Sequence, residues 1–402
     1  MRLPDDTQRH PDRPRYPSTD GSCYNIPQNR QCWSPGYDID INIETTWPTT
    51  GKVVSYTLDV QNKTLAQDGH PRPVHAINGQ FPGLTIRARW VDTLRITVKN
   101  SLQHNGASNH WHGVRQWQTN PMDGANGITE CPLALGQSET YTFLETQYGT
   151  TWYHSHHSRQ YGDGLWGTIV IDEPSSANWD IDLGVLPVQD WFYDISETIM
   201  YRLVRAQIRN QPVANNILIN GTTVNSAGGG VYHGNTIEKP TGFMSSQAGC
   251  SANSVTNAVS VFSYEGANNT MPSDRIRNNA PPTSDCVDPN SDLIPWVPLN
   301  VSSNETIPQS SRLDVGFAVV QNSSSQTQTL VQWTLDSTAT VAEWHHPTLQ
   351  YVRGGTSAYP RSMNLINLPT KNQWSFWVIQ AQVNSITPPP QAHSTHLHGH
   401  DF

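Results

Sequence analysis

The sequence predicts an all-β protein that contains more than one domain. The chain has 402 residues, a length that suits two or three domains. It contains 28 Gly and 29 Pro but only 14% charged residues, a composition typical of short strands joined by many turns. Segments 53–60 and 93–98 alternate apolar and polar residues with period two, as strands with one buried face do.

Strand-like runs and Pro-rich breaks divide the chain into blocks. Segment 166–171 closes the first strand-rich block, and segment 172–176 has the composition of a linker. Strand-like segments 217–221 and 374–379 belong to the second and third blocks. We therefore expect an N-terminal arm and three domains, with these boundaries: arm 1–40, first domain 41–175, second domain 176–300, third domain 301–402.

Charge and hydropathy argue against two classes of partner. The net charge is −9 with a pI near 5.9, and no basic run is present, so nucleic acid is not an expected partner. No stretch approaches the length of about 18 apolar residues that a membrane-spanning helix requires, so no membrane insertion is expected.

Three segments of the chain carry the pattern His-x-His: 110–112, 154–156 and 396–400. With 16 His among 402 residues, about one such pair or fewer is expected by chance, yet the sequence contains four. Residues i and i+2 of a strand point to one side, so His-x-His presents two imidazoles together. One pair alone is most often structural, but three separated pairs beside Trp, Tyr or Gly predict a metal site.

The donor types narrow the choice of metal. Imidazole donors suit copper, zinc, iron or nickel. The sequence contains no His-Glu-x-x-His and no Cys-x-x-Cys, so the common zinc signatures are missing. Paired histidines from distant parts of one chain favour a multicopper cluster over a single tetrahedral ion.

At this point the motifs resemble a known family. The first histidine motif, with 123–124, 129–132, 151–156 and 160–167, is similar to the first domain of a multicopper oxidase, and 396–402 is similar to the third. Fungal laccases of the ascomycete type are the nearest resemblance, and segments 76–83 and 217–221 add to it. The resemblance implies three tandem cupredoxin-like Greek-key β-sandwiches, of which the second and third are incomplete in this chain.

The resemblance also implies roles for individual residues. His110 and His396 would bind a type 2 copper, and His393 would be a ligand of a type 1 copper. The type 3 copper pair would be bound by His112, His154, His156 and His398. Asp123 matches a family carboxylate that steers protons near the cluster, while a turn-forming Asp-Gly is the plain alternative. No ligand role is implied for His157, His345, His346 or His400.

The implied function is that of a laccase. Such an enzyme oxidises phenols and aromatic amines in one-electron steps and reduces dioxygen to water with four electrons. We expect a monomer whose partners are dioxygen and these substrates. No secretory signal is visible at the N-terminus, but secretion is implied by the resemblance and favoured by six Asn-x-Ser/Thr sequons: Asn62, Asn220, Asn268, Asn300, Asn304 and Asn322.

Two departures from the family pattern bear on activity. After 235–240 the chain continues at 241 without a run of core strands, which indicates either a deletion or a naturally short domain; the carboxylate that accepts a phenolic proton cannot be assigned. The His-Cys-His strand that supplies the type 1 thiolate would follow Phe402, so this chain as given is expected to be inactive. The alternatives are an oxidase of metal ions or ascorbate, or a catalytically dead secreted copper-binding or structural protein.

The five cysteines predict two disulfides and one free thiol. Cys23 and Cys32 are close enough in sequence to close a short loop. Cys250 and Cys286 flank a polar segment and could staple it to the middle domain. Cys131 remains; in the family the cysteine at this position bridges to one near the C-terminus, so here we expect it to be free.

Overall fold

The structure is a computed structural model, and it describes thirteen stretches of the chain: 23–49, 51–179, 182, 184–206, 212–223, 242–245, 259–262, 297–298, 312–321, 329–356, 358–368, 375–381 and 395–400. Several sequence predictions fall outside these residues. They concern His393, the pairing of Cys250 with Cys286, the junction at 235–241, and the sequons at Asn268, Asn300, Asn304 and Asn322.

The first block is a sandwich of two four-stranded sheets. The strands of the arm and of this block are β1 (Cys32–Ser34), β2 (Tyr37–Asp38), β3 (Val53–Leu65), β4 (Arg72–Ile77), β5 (Gly83–Arg89), β6 (Thr93–Asn100), β7 (His110–Trp111), β8 (Ser138–Leu144), β9 (Gly149–His154) and β10 (Trp166–Asp172). One sheet has the order β4-β3-β6-β8, and the other has the order β5-β10-β9-β7. Both sheets mix parallel and antiparallel pairs, since β3 runs parallel to β6 and β10 runs parallel to β5.

The alternation of residues along β6 shows why the sandwich forms. Leu94, Ile96 and Val98 are fully buried, whereas Arg95 between the first two and Lys99 after the third are exposed. The apolar face of this strand packs into a core that also contains buried side chains of β3, β5, β8, β9 and β10. The period-two pattern therefore gave the correct buried face.

The remaining described elements form small sheets and short helices. They are β11 (Val188–Trp191), α1 (Ser196–Ala206), β12 (Asn216–Ile219), β13 (Gly242–Ser245), β14 (Val259–Phe262), β15 (Arg312–Gln321), β16 (Thr329–Leu335), α2 (Thr348–Arg353) and β17 (Val378–Ala381), with 3₁₀ turns at Asn120–Met122, Gln160–Asp163 and Arg361–Met363. Strand β11 pairs with β12, β13 pairs with β14, and β15 lies between β16 and β17. The strand predicted at 374–379 is displaced, since the observed strand begins at Val378.

The second block packs on the first through an apolar contact. Trp191 of β11 and Leu218 of β12 are fully buried against Phe81 and Trp166 of the first block. Across this joint the ring of Phe81 lies against that of Trp191, with ring centroids 5.3 Å apart. This aromatic contact is the kind that holds domains in one relative position.

The third block is joined to the first by backbone hydrogen bonds. The amides of Thr348 and Leu349, at the start of α2, donate to the carbonyls of Gly127 and Ile128 at 3.1 and 2.8 Å. These bonds lie in the loop that follows Asp123, which brings the third block beside the first histidine motif.

The arm is anchored to the first block from Cys23 onward. Cys23 and Cys32 form the predicted disulfide, with Cα atoms 5.1 Å apart. Trp33 is buried against Trp90, with ring centroids 6.3 Å apart. Cys131 is free, as predicted, and its side chain is exposed rather than buried. Among the described residues, no helix is long and apolar enough to span a membrane.

Truncation of the first-block core should cost measurable stability. Replacing the fully buried Ile96 by Ala leaves a cavity between the sheets, so we expect a loss of about 2–5 kcal/mol in the free energy of unfolding. The exposed neighbour Lys99 is the matched control, and Lys99→Ala should change stability by less than about 0.5 kcal/mol. Denaturant unfolding measures both, and equal losses would contradict the assignment of this strand's buried face.

Candidate metal centre

Two of the three histidine motifs lie on neighbouring strands. In the antiparallel pair β7 and β9, His110 is opposite His154, and Trp111 is opposite Tyr153. Trp111 and Tyr153 are fully buried and belong to the sandwich core. Alternation along each strand therefore turns the histidines to the opposite side, where their imidazoles meet.

The third motif lies across the first two. The ring of His396 stacks on His112 with centroids 3.6 Å apart, and the ring of His398 lies 3.9 Å from His110. His398 is also 5.2 Å from His156. The six imidazoles thus form one connected cluster, although the third motif begins 240 positions after the end of the second: His110, His112, His154, His156, His396 and His398.

Asp123 organises two of these imidazoles from a buried position. Its Oδ2 accepts a hydrogen bond from Nδ1 of His398 at 2.9 Å. Nδ1 of His110 donates to the backbone carbonyl of Asp123 at 2.9 Å and lies 3.3 Å from Oδ1. A proton on Nδ1 of each ring leaves its Nε2 with a lone pair, which is the atom that a metal requires.

The other ring positions are set by nearby aromatic and backbone groups. Nδ1 of His154 donates to the carbonyl of Ser155 at 3.0 Å, and its ring stacks on Trp152 at 4.1 Å. Nδ1 of His112 lies 3.3 Å from Nε2 of His154. Nε2 of His110 is buried and has no hydrogen-bond partner among the described residues. A buried lone pair without a partner is costly unless a ligand satisfies it.

Burial and mutual repulsion keep three of the imidazoles neutral, those of His112, His154 and His156. Burial, and then the neighbouring imidazoles, lower the pKa of His112 to about 4. The pKa of His154 falls to about 3 and that of His156 to about 4, again chiefly through burial. Burial alone would raise the pKa of Asp123, but hydrogen bonds from His110 and His398 lower it well below its ordinary value. The site therefore combines at least three neutral imidazole donors with one ionised carboxylate.

Two donor groups are compact enough for a metal ion. Donor atoms of His110, His112 and His396 lie within 4.8 Å of one another, and so do donor atoms of His110, Asp123 and His398. The two groups share His110. A cluster of more than one ion fits this arrangement better than one ion does, because six imidazoles exceed the four ligands of a tetrahedral site.

Asp123 also forms the Asp-Gly turn that the sequence offered as the alternative to a role beside the cluster. It ends the 3₁₀ turn Asn120–Met122, and Gly124 follows with φ +76°. A Cβ on Gly124 would lie 1.7 Å from the carbonyl oxygen of Asn109, so only glycine fits beside the first motif. The turn and the hydrogen bonds to the imidazoles are both observed.

The remaining histidines named from sequence lie apart from the cluster or outside the described residues. His157 is buried and its ring lies 4.3 Å from Trp344, with no hydrogen-bond partner described for its Nδ1. The backbone of His400 donates to the carbonyl of Leu397 in a turn. His345 and His346 are exposed.

Several supporting residues were missed by reading the sequence. The hydroxyl of Ser108 accepts from the amide of His156 at 3.0 Å, and the hydroxyl of Ser155 donates to the side chain of Gln160 at 2.7 Å. Trp152 and Tyr161 flank the ring of His154. Serine and glutamine carry no distinctive spacing signal, so only the position of Ser155 inside a His-x-His motif could have indicated a role.

The fold and the histidine cluster together define a class of copper-dependent oxidases, and comparison with known proteins agrees. Residues 59–176 and 322–402 match multicopper oxidase family profiles. Laccase-1 of Melanocarpus albomyces is 32% identical, over 97% of this chain and 71% of that protein. Laccase-3 of Botryotinia fuckeliana is 35% identical, over 80% of this chain and 85% of that protein.

A solved structure gives the same result. The laccase of Botrytis aclada matches 85% of this chain and 74% of its own, with a TM-score of 0.74 and 30% identity. This chain belongs to the multicopper oxidase family and is of the fungal laccase type, and its cupredoxin-like all-β fold is confirmed. The alignment with Laccase-1 extends over 461 positions, more than the 402 residues of this chain, so that relative has segments without a counterpart here.

The metal-free protein should lose stability in acid. The pKa of His154 is about 3 when folded and near its ordinary 6.5 when unfolded, so the unfolded chain binds the proton more tightly. Between about pH 7 and about pH 5 this group alone should remove about 2 kcal/mol of stability. Denaturant unfolding at several pH values measures the slope. His154→Gln should flatten it, whereas a change at exposed His400 should not; equal slopes in all three proteins would contradict the account.

Removal of the Asp123 carboxylate charge should weaken metal binding. Asp123→Asn retains the shape of the side chain but removes its negative charge. The variant side chain therefore no longer stabilises the Nδ1–H groups of His398 and His110 electrostatically. We expect copper affinity to fall about 10–100-fold, measured by competition with a chelator. Asp59→Asn, on β3, is the control and should leave affinity unchanged. An unaltered copper affinity in Asp123→Asn would contradict the claim that this carboxylate organises the site.

Proposed function

We propose that the six imidazoles bind a copper cluster, and that the protein's chemistry is the laccase reaction. In that reaction phenols or aromatic amines lose single electrons and dioxygen takes up four electrons to form water. The observation that carries the proposal is the convergence of three His-x-His motifs on one place between the first and third blocks.

The residues present fit copper. The donors are neutral nitrogens, which suit copper, and the buried Nε2 of His110 has no other described partner. Rings anchored at Nδ1, as those of His110 and His398 are by Asp123, direct Nε2 towards an ion. Within this proposal His110 and His396 bind a type 2 copper, and His393 is a type 1 ligand. The type 3 ligands are His112, His154, His156 and His398.

The protein's part in the chemistry is to hold ligands and protons. Bound copper would supply the redox capacity that amino-acid side chains lack. Low pKa values keep His112, His154 and His156 unprotonated in mildly acidic solution, so no proton competes with the metal. Asp123 remains ionised and contacts the cluster through Oδ2, so within this proposal it is the carboxylate that orients the imidazole protons and steers protons near the metal.

The wider setting is proposed from the family. The domains are taken as 41–175, 176–300 and 301–402, preceded by an arm at 1–40. The protein would be secreted and monomeric, with dioxygen and phenolic or aromatic amine substrates as partners. No substrate preference is assigned.

A second candidate, a copper-binding protein without turnover, is favoured by the described cysteines. Cys23 and Cys32 are joined in a disulfide. Cys131 is exposed, and its Sγ lies 4.0 Å from the carbonyl of His345 rather than beside the six imidazoles. A type 1 copper requires a thiolate ligand for rapid electron uptake. The two sulfurs of the disulfide are not thiolates, and the sulfur of Cys131 contacts the carbonyl of His345.

Copper uptake tests the cluster itself. His112→Ala removes a ring that contacts both His154 and His396, so the bound copper per chain should fall relative to the unaltered protein. His400→Ala is the control, because His400 lies in the third histidine motif but has no proposed ligand role. Metal analysis after dialysis measures both. Equal copper content in the two variants would contradict the assignment.

Turnover separates the two candidates. The copper-binding candidate predicts that the 402-residue polypeptide, loaded with copper, shows no intense blue thiolate-to-copper absorption and no oxidation of a phenolic dye, because no described sulfur is placed as a thiolate ligand. The laccase proposal predicts both signals. Visible absorption and dye oxidation are measured on the same sample whose copper content is known. A blue band or dye oxidation would favour the oxidase over the copper-binding candidate for this polypeptide.

A further inference from the structure

A buried ion pair within the first block lies where the second block meets the loop that follows the second histidine motif. Arg72 of β4 is 1% exposed, and its Nη2 lies 2.6 Å from Oδ1 of Asp163. The guanidinium also donates to the carbonyl of Phe192 at 2.5 Å and lies 4.5 Å from the ring centroid of Trp191. An ion pair withdrawn from water must have such additional partners to be tolerated.

Asp163 also receives hydrogen bonds from the first residue of α1. Its Oδ1 accepts from the amide of Ser196 at 2.9 Å and from the Ser196 hydroxyl at 3.1 Å. Gly162 permits this approach, since a Cβ there would lie 2.7 Å from the hydroxyl oxygen of Ser196. One carboxylate therefore connects β4 of the first block to the start of α1 in the second block.

The same loop leads back to the imidazoles. Its base is closed by the amide of Ser155, which donates to the carbonyl of Leu165 at 2.9 Å. Within it, the hydroxyl of Ser155 donates to Oε1 of Gln160 at 2.7 Å, and Nε2 of Gln160 donates to the carbonyl of Gly106 at 2.8 Å. Ser155 lies between His154 and His156 in sequence. A shift of the 3₁₀ turn Gln160–Asp163 would therefore move Ser155, through its bond to Gln160, and displace both imidazole rings.

We propose that Asp163 is a positioning residue for the metal centre: its bonds to Arg72 and Ser196 hold the loop whose Gln160–Ser155 contact orients His154 and His156. The inference rests on the proposed function for its consequence, copper binding. This positioning role accounts for the buried Arg72–Asp163 pair at the contact between the first and second blocks. The second block must pack on the first before the loop, and with it the second histidine motif, is held in place.

The test compares Asp163→Asn with a matched control. Asp182→Asn also removes a carboxylate that pairs with a first-block arginine, Arg87, but that pair is exposed and has no described contact with the loop. Ring ¹H–¹⁵N spectra of the metal-free proteins report the imidazoles directly, and electron paramagnetic resonance of the copper-loaded proteins reports the ligand geometry. Circular dichroism verifies that each variant is folded.

We expect Asp163→Asn to shift the ring signals of His154 and His156, to alter the copper spectrum, and to lower copper affinity about 10-fold. Asp182→Asn should change none of these, and Asp163→Glu should restore part of the copper spectrum. A folded Asp163→Asn protein with unaltered ring signals, copper spectrum and affinity would overturn the inference.

Milder variants decide the matter if Asp163→Asn does not fold. Ser196→Ala removes one hydrogen bond to Asp163, and Gln160→Ala removes the contact with Ser155. Both should shift the same two ring signals, and unshifted signals in both folded proteins would reject the inference. If the unaltered protein binds no copper while the ring shifts occur, the proposed function fails and the positioning role is retained.

Discussion

The rest of the site depends on one electrostatic constraint: six imidazoles must be held together without becoming charged. Neighbouring cations in a partly buried site repel one another strongly. Burial lowers the pKa values of His112, His154 and His156. Asp123 stays ionised, accepts a hydrogen bond from His398 and lies beside His110. The same arrangement that avoids protonation leaves nitrogen lone pairs available, so the constraint and the metal chemistry have a common cause.

The sandwich provides the rigidity that this arrangement requires. Trp111 and Tyr153 are buried in the core on the reverse side of the strands that carry the first two motifs. Each histidine pair is therefore fixed by core packing rather than by its own contacts alone. The third motif is brought to the same place by the third block, whose α2 amides bond to the loop after Asp123. The joint at Asp163 links the second block to the same centre.

The sequence predicted the buried face of β6 from a periodic pattern and the Cys23–Cys32 disulfide from a close spacing. The meeting of the three motifs was predicted from the family resemblance of the His-x-His segments. The strand predicted to begin at 374 begins at Val378 in the structure. The predicted start is too early because the apolar composition extends beyond the residues whose backbone is paired. The hydrogen bonds between the Asp123 carboxylate and the imidazoles could not be derived from the residues alone, because an Asp-Gly pair is equally typical of a simple turn. The support from Ser155, Gln160 and Asp163 also required coordinates, since it joins residues through tertiary contacts that leave no periodicity.

The most direct test of the central claim is to locate copper in crystals of the copper-loaded protein. Anomalous diffraction recorded on both sides of the copper absorption edge identifies the element and its position. We predict more than one copper peak among the imidazoles of His110, His112, His154, His156, His396 and His398, each near a ring nitrogen. Copper found only at other surface histidines, or no copper at these six rings in fully loaded crystals, would contradict the account.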